Sequence, residues 1–180
     1  PYTVDRMKDV LSNFFVESYV NTTPTHYYSG VELKTATCDN TDVAEVGFVG
    51  RTLLNAFNAL EYGSQQNRPE LVNSANSIFD TYLTNGFSPA GFFNEVVHYN
   101  RDFKEPNLSI RRQSEGVYAI LNYLDYEKQH KRKHPEWEKR LKVILDSFLR
   151  LQNADGSFPR KFKDDFSIVD GTGGSTPSAT

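Results

Sequence analysis

The stretch RPELVNSANSIFDTYL at residues 68–83 recurs along the chain as HPEWEKRLKVILDSFL at residues 134–149. Matching positions keep proline, glutamate, isoleucine, aspartate and leucine: Pro69 and Pro135, Glu70 and Glu136, Ile78 and Ile144, Asp80 and Asp146, Leu83 and Leu149. The segment at 51–62 similarly matches 115–126. The first pair of segments is offset by 66 residues (68 to 134) and the second by 64 (51 to 115). One unit of about 65 residues therefore occurs twice, and a short connection absorbs the difference.

Each unit is predicted to form two helices, because its apolar residues recur every three or four positions. In the later unit the two apolar stripes are Val117, Ile120, Leu121 and Leu124, then Trp137, Leu141, Ile144, Leu145 and Phe148. The earlier unit repeats them with Leu53, Phe57 and Leu60, then Leu71, Ala75, Ile78, Phe79 and Tyr82. A further helix at about 4–19 resembles the second helix of a preceding unit. No series of strands is evident, so the predicted class is all-α, built from repeated antiparallel helical hairpins.

The connections between these helices alternate in length. Residues 62–69 and 126–135 span short turns, whereas about 20–41, 85–109 and 152–175 are long. Loops of that length usually have a functional reason. Because every second connection of an up-and-down hairpin array lies at the same end, the long loops should crowd one rim.

Composition excludes several classes of protein. The chain has 180 residues, 38% of them hydrophobic, enough for a domain with a sizeable core. A net charge of -3 argues against general nucleic-acid binding. Cys38 is the one cysteine, so no intrachain disulfide is possible. No apolar run approaches the roughly 20 residues of a membrane span. The compartment stays open, with export to the periplasm or medium of a bacterium as one expectation.

The long loops also share a local pattern. SPAGFFNEV from residue 88 and NADGSFPRK from residue 153 both place Gly-x-Phe after a helix. Paired helices of this period, followed by QNADGSF, resemble α/α-toroid proteins. LQNADGSFPRKF with GTGGSTPSAT resembles segments of bacterial polysaccharide-processing members of the six-hairpin glycosidase-like group. The resemblance implies an (α/α)6-barrel-like ring, but it brings no catalytic signature that matches residue by residue.

The resemblance also implies that the chain is short. Six hairpins need at least twice this length, and only about two and a half units are present. We therefore expect residues 1–180 to form a single helical-hairpin domain that is an incomplete part of a larger toroid, with the rest of the ring absent. An incomplete ring should expose apolar helix faces.

Glycoside hydrolysis needs two carboxyl groups, one acting as acid and the other as base or nucleophile. Glu115 is the first candidate, because it lies near the start of a helix that a toroid would place inside. The alternative is a first-turn glutamate that favours the helix dipole, with Ser114 or another polar residue as the helix cap. Asp155 is the second candidate, with a tight Asp-Gly turn as the alternative.

Further residues are candidates for binding substrate. Arg111, Arg112 and Arg160 would orient it, and Arg160 would pair with Asp155 or bind an acidic sugar in bidentate fashion. Phe92, Phe158 and Tyr99 would stack against sugar rings, unless they roof the helix ends as satellite core. Asp102 would bind sugar hydroxyls, with a solvated loop as its alternative.

The predicted function is glycoside hydrolysis by paired carboxylates on an oligo- or polysaccharide, which needs neither cofactor nor metal. A non-catalytic helical module that binds glycan or protein is the alternative from another class. A polysaccharide lyase and a terpene-cyclase-like toroid enzyme are further alternatives. The basic stretch KQHKRKH at 128–134 is predicted to be a solvated turn on the opposite rim.

Overall fold

The computed structural model describes residues 3–21, 26–28, 43–47, 51–98 and 104–173. Within them lie five helices close to the predicted bounds: α1 (Val4–Ser18), α2 (Thr52–Gln65), α3 (Pro69–Asn85), α4 (Ile110–Gln129) and α5 (Pro135–Leu151). Both α3 and α5 begin at a proline, where the missing N–H costs no hydrogen bond. Helix α2 packs on α3 and also on α4, which in turn packs on α5. The two repeat units are therefore adjacent hairpins with α2 and α4 side by side.

The short turns of the two hairpins are built alike. Asn67 and Lys131 both have positive φ, at 54° and 60°. The next backbone N–H in each unit donates to an equivalent carbonyl at 2.8 Å, from Arg68 to Gly63 and from Arg132 to Glu127. The turns match at an offset of 64 residues. The two extra residues of the later unit, 133–134, follow this shared turn and account for the larger offset of the helix after it.

Short strands add to the helices, so the expectation of a purely helical protein was wrong in this respect. They are β1 (Tyr19–Asn21), β2 (His26–Tyr28), β3 (Val43–Glu45), β4 (Val96–His98), β5 (Leu108–Ser109), β6 (Lys161–Phe162) and β7 (Ile168–Asp170). All pair antiparallel, in sheets β1-β2, β3-β4 and β5-β6-β7. Strands of two or three residues are too short to show an alternating pattern in sequence.

The sheets tie the long connections together at one rim. Strand β3, before α2, pairs with β4 in the connection between α3 and α4, and β5 of that connection pairs with β6 after α5. The Asp164 carboxylate adds a side-chain link, accepting hydrogen bonds from the Ser88 hydroxyl and, at 3.1 Å, from the Ala90 N–H. In the described part of the chain, the long connections thus lie together at this rim.

The core is aromatic at its centre, and its edges are open. Phe79 stacks on Tyr123 with ring centroids 3.9 Å apart, and Trp137 meets Phe79 edge-on at 6.4 Å. At the edges, Leu11 of α1 is 67% exposed and Leu149 of α5 is 70% exposed. Apolar side chains are therefore exposed on the outer helices α1 and α5. Two predicted stripe residues, Leu121 and Leu145, are also exposed and do not join the core. In the described ranges, no helix has the length and apolar character that a bilayer crossing requires.

Candidate functional site

Charged side chains converge at the rim where α2 and α4 begin. We call this group the rim cluster; its members are Glu45, Arg51, Glu95, Arg111, Arg112 and Glu115. Strand β3 supplies Glu45, the connection before β4 supplies Glu95, and the first turns of α4 supply the last three residues. The hydroxyl of Thr52, the first residue of α2, donates to the Glu45 carbonyl at 2.6 Å. This bond fixes the start of α2 against β3.

Glu95 caps α4 from outside the helix. Its side chain is fully buried, and Oε1 accepts hydrogen bonds from the Ser109 N–H at 2.5 Å and the Gln113 Nε2 at 2.9 Å. Ser109 is the N-cap residue and makes no side-chain cap of its own. Gln113 also bonds both backbone groups of Phe93 at 2.9 Å. The connection at 93–95 is therefore fastened to the beginning of α4, because an N-terminal helix turn leaves N–H groups that need acceptors.

The burial of Glu95 changes its acidity. Loss of hydration raises the pKa of Glu95 to about 7, although the bonds from Ser109 and Gln113 and the charge of Arg112 oppose the rise. Its Oε2 has no hydrogen-bond partner among the described residues, and the closest charge is Arg112 Nη1 at 3.6 Å. A carboxyl in this state exchanges its proton near neutral pH.

Arg112 and Glu115 lie on either side of the first turns of α4. Arg112 is 25% exposed and lies between Glu95 and Glu45, whose Oε1 is 3.7 Å from Nη2. Glu115, 14% exposed, contacts Arg111 Nε through Oε1 at 3.2 Å and Arg51 Nε through Oε2 at 3.7 Å. The structure thus brings together three of the predicted residues, Glu115, Arg111 and Arg112.

Glycine is required at position 47, where the segment after β3 passes over α4. A Cβ added at Gly47 would lie 2.8 Å from Arg112 Cα and 2.9 Å from Glu115 Oε2. Because the first of these neighbours is backbone, it cannot move aside at low cost. Glu115 itself is in the second turn of α4, and the Ser114 hydroxyl donates to the Arg111 carbonyl inside the helix. The expected alternative was therefore wrong in placing Glu115 in the first turn and in offering Ser114 as the cap, since Ser109 occupies the N-cap position.

Arg51 is a member that sequence analysis missed. It occupies the N-cap of α2 with φ 42° and ψ 44°, a left-handed conformation, and makes no side-chain cap. That conformation costs a non-glycine residue about 1–2 kcal/mol, and a missing cap costs about 1 kcal/mol more. A partly exposed ion pair returns at most about 1 kcal/mol. The pair with Glu115 therefore does not offset the cost of arginine here. The sequence signal that could have identified Arg51 is an arginine at a helix N-cap, where serine, asparagine, aspartate or glycine is preferred.

Asp155 lies in a different environment. It is exposed, and its Oδ1 accepts hydrogen bonds from the Ser157 N–H at 2.9 Å and hydroxyl at 2.6 Å. These two bonds hold the pKa of Asp155 below its usual value. Gly156 has φ 85°, as a tight turn requires. The predicted turn is present, and it engages the carboxylate locally.

Arg160 does not form the ion pair suggested for it with Asp155. Its Nη1 lies 3.2 Å from Asp170 Oδ2, where β6 pairs with β7. The side chain is 60% exposed. Asp170 pairs across the sheet with Lys161, the residue after Arg160, so the Arg160 guanidinium group lies beside Asp170 and not beside Asp155.

The predicted aromatic platforms are core residues where the structure describes them. Phe92 is fully buried, with the rings of Phe162 and Phe166 at 5.0 and 5.4 Å. Phe158 is 5% exposed and packs near Phe148. This corrects the stacking expectation in favour of its alternative, because the rings cover one another beneath the rim. Tyr99 and Asp102 lie outside the described residues.

A separate cleft lies away from the rim cluster. This cleft of about 460 Å³ lies between α1 and α2, with Lys8, Asn58 and Glu61 among its lining residues and no member of the rim cluster. In the described ranges, no group of three or more His, Cys, Asp and Glu side chains is arranged to hold a metal ion. Among the described residues, the rim cluster, where six charged side chains meet, is therefore the candidate site.

Comparison with known proteins gives a similarity of fold. No family model matches the chain, and no curated protein matches it. A solved sugar epimerase from a ruminal bacterium is similar in structure, with a TM-score of 0.63 and 10% identity over 88% of this chain and 39% of its own. A solved D-mannose isomerase has a TM-score of 0.59 and 12% identity over 94% and 44%. The chain spans about two fifths of the length of these structures, and it shares with them a toroid-like fold of helical hairpins.

Proposed function

We propose that the chain is part of a carbohydrate-active enzyme and that its saccharide binds at the rim cluster. The observation that carries this proposal is the convergence of three carboxyl groups and three arginines at the loop-rich end of adjacent hairpins. Carboxyl groups supply acid and base chemistry, and guanidinium groups orient polar substrates. The fold similarity to two sugar-converting enzymes supports the same general assignment.

For the reaction itself we propose cleavage of glycosidic bonds. Glu115 is the proposed carboxyl that meets the substrate, because it lies between two exposed guanidinium groups and keeps 14% of its side chain accessible. Asp155 is a weaker second carboxylate than the sequence suggested, since its own turn engages it. Glu45, whose side chain is 23% exposed, is the better partner within the cluster. Hydrolysis by such a pair requires no cofactor.

A second candidate is the isomerisation or epimerisation of a free sugar. That chemistry takes a proton from a carbon beside a carbonyl and returns it, so it needs a group that exchanges protons near neutral pH. Glu95, with its pKa raised to about 7, is a group of that kind next to Arg112. The fold similarity to a sugar epimerase and a D-mannose isomerase also favours this chemistry.

One experiment separates these functions. The full-length parent protein is incubated with a panel of polysaccharides and with free aldoses and ketoses, and products are separated by chromatography. New reducing ends would support hydrolysis, whereas interconversion of monosaccharides would support the second candidate. Glu115→Gln should abolish turnover, and Glu138→Gln, an exposed change on α5, serves as the matched control. Saccharide binding without any turnover would contradict both reactions and favour the non-catalytic module.

A further inference from the structure

We propose that the saccharide bound at the rim cluster carries an anionic group, a uronate carboxylate or a sulfate ester, and that Arg51 and Arg111 bind it. This inference rests on the proposed function and names the substrate class of the same site. It concerns one carboxylate and the two guanidinium groups that contact it from different helices.

The three arginines of the cluster differ in accessibility. The side chains of Arg51 and Arg111 are 47% and 41% exposed. Arg112 is 25% exposed and lies between two carboxylates of the rim, Glu45 and the fully buried Glu95. Arg112 therefore belongs to the framework beneath the site, whereas the other two guanidinium groups are presented to solvent at its surface.

Glu115 holds the two exposed arginines in one arrangement. Each of its oxygens contacts the Nε of a different guanidinium group, Oε1 that of Arg111 and Oε2 that of Arg51. Glu115 is only 14% exposed, so it anchors them from below. Two planar donor groups that meet beside one carboxylate suit bidentate recognition of a planar carboxylate or of a sulfate. Pre-organisation lowers the entropy lost when such a ligand binds.

The backbone at Arg51 points to a use for its side chain. Glycine or asparagine would adopt the left-handed conformation at the α2 N-cap with less strain, and a serine or aspartate would supply the missing cap. Arginine does neither, and its contact with Glu115 at 3.7 Å is a weak ion pair. Recognition of an anion by the exposed guanidinium group accounts for an arginine at this position.

The test compares saccharides that differ only in charge. Binding of matched neutral, uronate-containing and sulfated oligosaccharides to the full-length parent protein is measured by titration calorimetry at two salt concentrations, together with their turnover. We expect the anionic ligands to bind at least about tenfold more tightly than the neutral one, with a preference that weakens in high salt. The uronate and sulfate arms show which anion the site takes.

Variants assign the effect to the two arginines. Arg51→Gln and Arg111→Gln should each reduce affinity for the anionic ligand about tenfold and reduce affinity for the neutral ligand by a smaller factor. Arg51→Lys should recover only part of the affinity, because lysine keeps the charge without the planar fork. Lys142→Gln removes one positive charge from the exposed face of α5 and should leave the affinity for both ligands unchanged. Circular dichroism confirms that each variant folds.

The inference and the function on which it rests fail differently. Neutral saccharides bound and turned over as well as anionic ones would overturn the inference and leave the carbohydrate-active enzyme standing. Anion preference that survives both arginine variants would also overturn it. No binding or turnover of any saccharide would overturn the proposed function and the inference together.

Discussion

Replacing Glu127 by glutamine should destabilise the protein through the turn between α4 and α5. Glu127 is 4% exposed, and its carboxylate accepts hydrogen bonds from Arg132 Nε at 2.7 Å and Nη2 at 2.5 Å and contacts His134 Nε2 at 2.7 Å. Burial alone would raise the pKa of Glu127, but the bonds from Arg132 and His134 outweigh it and hold the pKa below its usual value. The charged carboxylate is therefore the form that the folded state favours.

The size of the effect follows from these contacts. A hydrogen bond to a charged group contributes about 1.5–3 kcal/mol, and the half-exposed side chain of Arg132 lowers its share. Glutamine keeps the size of the side chain and one acceptor, so we expect a loss of about 2–3 kcal/mol in the free energy of unfolding. In a chain of this length that lowers Tm by about 4–12 °C. The first hairpin makes the same backbone turn with Gly63 in the equivalent position, so the turn itself should survive.

The dependence on pH provides a second signature. Because the folded pKa of Glu127 lies below the unfolded value, its contribution is present above the unfolded pKa of about 4.3 and is lost as pH falls through the folded pKa. Wild type and Glu127→Gln should therefore differ most at neutral pH and converge in acid. Thermal and urea unfolding followed by circular dichroism measure this, with Glu138→Gln as the exposed control. Equal Tm values at pH 7, or a gap that widens in acid, would refute the reasoning.

Three further predictions concern the rim. Arg51→Gly should raise the free energy of unfolding by about 1 kcal/mol in urea titrations, because glycine relieves the left-handed strain; a decrease would show that the side chain contributes more than its weak ion pair suggests. Gly47→Ala should lower the free energy of unfolding by about 1–3 kcal/mol, since the added methyl group meets the Arg112 backbone at 2.8 Å. Unchanged stability would mean that the segment after β3 can move away from α4. For Glu95, whose folded pKa is raised to about 7, stability should fall as pH rises from about 4.5 to 7, and Glu95→Gln should flatten that slope; an unchanged slope would contradict the assignment.

Local signals made the helices and turns predictable. Apolar residues every three or four positions, and a proline at the start of α3 and of α5, are properties of short segments that hold wherever the segment packs. The Asp155 turn could be predicted for the same reason, since the accepting carboxylate of Asp155 and the donors of Ser157 are only two residues apart. Glu115, Arg111 and Arg112 could be grouped because one helix carries all three.

Tertiary structure decided what depends on partners distant in the chain. Strands of two or three residues form here because a second long connection pairs with them. No short stretch of sequence could therefore predict them. Burial of individual side chains could not be predicted from the sequence either. Phe92 is in the core because Phe162 and Phe166 cover it. Glu95 is a buried helix cap because Ser109 and Gln113 donate hydrogen bonds to it. Arg51 joined Glu115 from a different helix. Hydrophobic periodicity is set by neighbours in sequence, whereas solvation and charge pairing are set by neighbours in space, which the fold alone brings together.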